Sequence, residues 1–112
     1  MTVDEFRELG LEIPGSVESG HMDHPDFRIA GKIFATLGYP DGEHGMVRLT
    51  PEQQRTFLKK AAKAFSPSAG TWGKQGSTNV YLRAAKIDLM RTVLDLAAKK
   101  CHSKDKGLRS AD

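Results

Sequence analysis

"DFRIAGKIFATLGY", residues 26–39, is the stretch on which the fold turns. Phe27 and Ile29 alternate with polar neighbours, Ala30-Gly31 offers a turn, and Ile33, Ala35 and Leu37 alternate again. Side chains in a strand point to opposite faces with period two. Two such runs around a turn therefore predict an antiparallel hairpin with Phe27, Ile29, Ile33 and Leu37 in the core. Two registers compete: a two-residue loop sets Phe27 opposite Phe34, and a three-residue loop sets Ile29 opposite Ile33.

The residues just upstream, "HMDHPD" (21–26), place His21 and His24 three apart among Asp23 and Asp26. Zinc-binding histidine pairs on one helical face sit four apart, and Pro25 directly follows the second histidine here. The expected role is therefore to cap a loop entering a strand, with no metal bound. "SVESGHM" (16–22) is a further, weakly marked strand. Downstream, "PDGEHG" (40–45) is a turn, with Pro40 suited to its second position and Asp41 and Gly42 to its later ones. "MVRLT" (46–50) then predicts a strand with Val47 and Leu49 on one face and Arg48 on the other.

Helices flank these strands. Thr2 and Glu5 form a candidate capping box for a first helix carrying Val3, Phe6 and Leu9, closed by Gly10 and Pro14. "TPEQ" (50–53) is the strongest start signal: Thr50 caps, Pro51 fills the first helical position, and Gln53 completes the box. On a helical wheel Phe57, Leu58, Ala61, Ala62 and Phe65 share one arc, and Arg55, Lys59, Lys60 and Lys63 share the opposite one. "SPSAGTWGKQGST" (66–78) is turn-rich around Trp72, and "TNVYLRA" (78–84) is the last strand. From about Asp88 a final helix carries Met90, Val93, Leu94, Ala97 and Cys101 as an inward stripe. Residues 102–112 have no apolar periodicity, which predicts a disordered tail beyond a single domain over 1–101.

The element order is helix, strands, helix, strands, helix. The intervals between strands are too short for repeated parallel crossovers. The predicted class is α+β: a mostly antiparallel sheet of about five strands, with helices packed on one side.

At 112 residues the chain can bury a core without staples, and its single cysteine excludes an internal disulfide. The start is acidic and lacks the pattern of a signal peptide, and no apolar run approaches the ~18 residues of a membrane span. A cytoplasmic protein with no membrane partner is expected. Charge is unevenly spread: residues 1–26 hold seven acids against Arg7, and the rest hold sixteen bases against seven acids. An anionic partner for the basic part explains this, and so does an acidic first helix packing on basic neighbours.

Three strings, "HMDHPDFRIAGKIFATL", "MVRLTPEQQ" and "FSPSAGTWGKQGSTNVYL", occur in this order from about residue 17 to the last helix. Together they resemble the MmcQ/YjbR-like family. The resemblance implies an α+β, CyaY-like double-wing fold and a proposed role in DNA binding. It implies no catalytic residues, cofactor or metal.

The residues support little catalysis. No nucleophile elbow is present, and "GTWGKQGST" lacks phosphate-loop spacing because Lys74 precedes its last glycine. The expected function is a non-enzymatic binding module for DNA or another polyanion. Its candidate contacts are Arg55, Lys59, Lys60 and Lys63 on the basic arc, with Trp72, Lys74 and Arg83. In that reading a β-loop wing also presents Gln75, Ser77 and Thr78. The alternative is a protein-interaction or small-ligand module using the sheet face that the helices leave open. The lining of that face discriminates: Arg28, Arg48 and Arg83 suit phosphates, whereas Phe34, Met46, Trp72 and Tyr81 suit an apolar ligand.

Overall fold

Both capping boxes form. Thr2 Oγ1 accepts from the Glu5 N–H at 3.1 Å while Glu5 accepts from the Thr2 N–H at 2.7 Å, and this starts helix α1 (Val3–Glu12). Thr50 and Gln53 reciprocate in the same way at the head of α2 (Pro51–Lys60). Each box satisfies N–H groups that a helix start leaves without intrahelical partners. A computed structural model describes the backbone of residues 1–21 and 24–111, and the side chains of 1–20 and 24–101. The tail expected at 102–112 lies outside the described side chains, as does Asp23.

The strands are β1 (Val17–His21), β2 (His24–Ile29), β3 (Lys32–Leu37), β4 (His44–Arg48), β5 (Phe65–Pro67) and β6 (Ser77–Tyr81). They form one sheet in the order β1-β2-β3-β4-β6-β5, every neighbouring pair antiparallel. A short helix α3 (Gly70–Lys74) joins β5 to β6, and a 3-10 turn (Leu82–Ala84) leads towards α4 (Ile87–Ala111).

The β2–β3 hairpin takes the two-residue loop of the first expectation, but Phe27 does not lie opposite Phe34. Ala30 (φ 53°) and Gly31 (φ 78°) both adopt left-handed backbone, so the loop has two residues and Ile29 pairs with Lys32. A bulge then intervenes, because Arg28 faces Ile33 while Phe27 faces Ala35. Phe34 is the extra residue. Phe34 and Ala35 consequently both reach the core, and Ile33, expected there, is only half-buried beside Arg28.

The sixth strand was not expected. The wheel carried the second helix through Ala61 and Ala62 to Phe65, but α2 stops at Lys60. Phe65 instead opens β5 opposite Val80, and the Tyr81 N–H donates to the Ala64 carbonyl at 2.8 Å. Ala62 and Lys63 accordingly lie exposed in a turn.

The helices α1, α2 and α4 cover one face of the sheet. The Phe6 ring of α1 lies 6.1 Å from Phe27, and Phe57 of α2 lies 5.9 Å from Phe65. Met90, Val93, Leu94, Ala97 and Cys101 of α4 are all buried, as the stripe predicted. Of the acids of α1, Glu12 pairs with Arg91 of α4, whereas Asp4 pairs within the helix with Arg7, which also reaches Glu18 of β1. Among the described residues no helix is long and apolar enough to cross a membrane.

Candidate binding groove

Consecutive residues along each strand define opposite faces, so the register assigns every side chain. Asp26, Thr36, Met46 and Asn79 are cross-strand partners in one row, one residue along from the core row of Phe27, Ala35, Val47 and Thr78. The first row belongs to the face that α1, α2 and α4 leave open. Arg48 and Tyr81 share its parity.

Two walls rise over this floor. One is the segment after β5, pinned where Ser68 Oγ donates to Asn79 Oδ1 at 2.8 Å and the Ser68 N–H donates to the Ser77 carbonyl at 2.9 Å. It brings α3 across the face, so that the Arg48 guanidinium lies 5.0 Å from the centre of the Trp72 ring. The other wall is Tyr39-Pro40, with the His24 ring edge-on to Tyr39 at 6.2 Å. Between them runs an open groove of about 750 Å³ whose surface is mainly apolar. Met46, Leu37, Trp72 and Tyr39 supply the apolar surface, and Asp26, Asn79 and Arg48 supply polar groups.

Asp26 is fixed. It is 8% exposed and accepts two hydrogen bonds from Arg28, at 2.9 and 3.1 Å. These bonds, and the negative charge of Asp26, hold the Arg28 guanidinium above its ordinary pKa. At the other end of the face Asp41 accepts from the His44 ring at 2.7 Å and from the Glu43 N–H at 2.9 Å. Both bonds favour the carboxylate and lower its pKa. The turn itself spans Asp41 to His44, two residues later than the sequence suggested, since the His44 N–H donates to the Asp41 carbonyl.

The stretch around Trp72 corrects the expected wing. It is a short helix rather than a β-loop, and Ser77 (6% exposed) and Thr78 (0%) are buried instead of presented. Gln54 of α2 holds it in place: its buried side-chain amide donates to the Gly73 and Ser77 carbonyls at 3.0 and 2.9 Å and to Thr78 Oγ1 at 3.2 Å. The glycines have packing roles. A Cβ on Gly76 (φ 112°) would lie 1.9 Å from the Leu49 carbonyl oxygen, and one on Gly73 equally close to that of Ser68. Gln54 was missed, although it shares the helical arc of Phe57, Leu58 and Ala61 and so carried a readable signal.

The residues named for nucleic acid do not gather on one face. Arg55, Lys59 and Lys60 lie on the outer side of α2, which covers the core face, and Lys63 follows in the turn. Trp72, 58% exposed, stands over the opposite face, with Lys74 closing α3. Arg83 sits beyond the other end of β6, paired to Glu43 at 3.2 Å. The open face itself is mixed: Arg28, Arg48, Met46, Trp72 and Tyr81 belong to it, whereas Phe34 is in the core.

The histidine pair has a structural account. His21 and His24 are partners in the β1–β2 register, so their spacing of three is that of residues flanking a hairpin connection. No group of three or more histidine, cysteine, aspartate or glutamate residues among the described residues could hold a metal ion.

No family model matches the chain, and no curated protein matches it. Among solved structures it is similar to the Deinococcus radiodurans protein DR2400, a DUF419 domain, with a TM-score of 0.68 and 18% identity. That match covers 83% of this chain and 72% of DR2400. The likeness shows a shared overall fold; in this chain it is an α+β domain with a six-stranded antiparallel sheet.

Proposed function

We propose that the chain is a non-catalytic binding module whose ligand, a small molecule with an apolar body, seats in the open-face groove. The observation that carries this reading is the groove, whose size falls in the range of small-molecule sites and whose apolar lining surrounds a few fixed polar groups. The fold likeness to a DUF419 domain, from the MmcQ/YjbR-like superfamily, is compatible with it and supplies no ligand. A fragment screen read by amide chemical shifts tests it. Hits should perturb Thr36, Met46 and Trp72 together, and Met46→Arg should abolish them. A screen whose shifts all fall outside these strands would sink the proposal.

A second reading, DNA or another polyanion on the basic arc, is supported by one observation. Arg55, Lys59, Lys60 and Lys63 are all exposed, and none has an acidic partner among the described residues. Each lysine that meets a phosphate of duplex DNA adds roughly 0.9 to the log–log dependence of affinity on salt. Lys59→Gln with Lys63→Gln should lower that slope by nearly two with little change in melting temperature. An unchanged slope, or no binding at low salt, removes this reading.

A further inference from the structure

The groove over the open face carries its charge unevenly. The described residues that line it include one carboxylate, Asp26, and one guanidinium, Arg48. Asp26 is already satisfied, because Arg28 donates to both of its oxygens at 2.9 and 3.1 Å. Arg48 is not. Among the described residues no carboxylate pairs with it, and its Nε is buried without a hydrogen-bond partner. The register also keeps the two charges apart. Asp26 lies two strands from Met46, and Arg48 a further two residues along β4, so roughly 12 Å separates their backbones.

The surroundings of Arg48 suit an anion. The Trp72 ring, 5.0 Å away, steadies the cation but supplies no oxygen acceptor for its N–H donors. Asn79 stands on the next strand of the same face, opposite Met46 and so diagonal to Arg48. Its Oδ1 accepts from Ser68 Oγ at 2.8 Å, which leaves its NH2, a second donor, for the groove. Away from this end the lining turns apolar, through Met46 and Leu37 to Tyr39. A partly desolvated charge without a counter-charge is costly in the empty protein, so a ligand that neutralises it is favoured. A carboxylate meets a guanidinium edge with two parallel bonds. For the second charge of a phosphate dianion the lining holds no further guanidinium or ammonium group.

We infer that the groove selects a monocarboxylic acid, its carboxylate held by Arg48 and Asn79 and its hydrocarbon body lying over Met46 towards Tyr39. This rests on the reading of the groove as a small-molecule site and names the chemical class of its ligand.

A graded series from phenylacetic to phenylhexanoic acid, each acid beside its primary amide, tests the assignment. The compounds are titrated into the full chain and followed by the Met46 methyl and Trp72 indole signals. The best acid should bind about tenfold tighter than its amide, since charge-assisted bonds are roughly twice as strong as neutral ones. Arg48→Met keeps an apolar chain against Trp72; it should bring the acid down to its amide and leave the amide unchanged. Asn79→Asp, which sets a carboxylate beside Arg48, should weaken the acid more than the amide. Lys59→Gln with Lys63→Gln should alter neither. Amides that bind in the groove as tightly as their acids, or an acid preference that survives in Arg48→Met, would overturn the inference while leaving the groove a small-molecule site. Phenyl phosphate binding more tightly than phenylacetate would overturn the carboxylate. If neither acids nor amides move Met46 or Trp72, the reading of the groove itself fails, and this inference with it.

Discussion

Two adjacent rows of the sheet lie one residue apart and differ in almost everything else. Phe27, Ala35, Val47 and Thr78 are all fully buried, whereas Thr36, Met46 and Asn79 in the next row are only partly covered. The first row is closed by the long helices, and the second lies under a short helix and a loop with a groove left between them. One row holds the fold together and the other offers a surface. A one-residue slip in register would exchange them, so the bulge at Phe34 decides which residues floor the groove as well as which fill the core.

The sharpest way to break this contrast is to truncate the same strands on either face. Phe27→Ala removes a ring packed between Phe6 and Phe34 and should cost about 3 to 5 kcal/mol in denaturant unfolding. Met46→Ala, on the open row, should cost well under half as much. Equal losses would mean that the open face is a second core.

Gln54 tests how the wall of the groove is supported. Gln54→Met keeps the volume but leaves the Gly73 and Ser77 carbonyls and the Thr78 hydroxyl without their amide donor. A loss of about 1 to 3 kcal/mol is expected. Trp72 fluorescence should change as α3 loosens; an unaltered Trp72 signal would show that α3 holds its place without Gln54.

The smallest effect belongs to Asp41, at the rim of the open face. Its folded pKa is depressed, so its contribution to stability is complete above the ordinary value of 3.8. That contribution is lost as pH falls through the lower folded value. Carbon-detected titration should place the Asp41 midpoint below 3.8, and Asp41→Asn should flatten the corresponding part of the stability profile. A midpoint at or above 3.8 would show that the His44 bond does not persist in solution.

What the sequence made legible was local. Capping boxes at Thr2 and Thr50 and the stripe from Met90 to Cys101 depend on residues within a few positions of one another, and they form as read. The misreadings have one cause. Ala61 and Ala62 continue helical periodicity, but pairing of Phe65 with Val80 ends the helix. Residues 70–74 are glycine-interrupted and look like a turn, yet Gln54, sixteen or more positions earlier, holds them as a helix. The groove was hidden for the same reason. Its floor is defined by which residues face one another across strands, and the extra residue at Phe34 cannot be seen in an alternating string.

The two outermost strands close the sheet against its own kind. An exposed strand edge is a template on which a second copy can add, the first step towards open-ended assembly. Here β5 offers only three residues, and Pro67 has no N–H to donate. At the other margin β1 carries Glu18 and bends at Gly20, whose φ of 89° takes the backbone out of the extended path. A neighbouring chain would find an incomplete ladder on either side. The open face can therefore remain uncovered without the sheet growing sideways into fibrils.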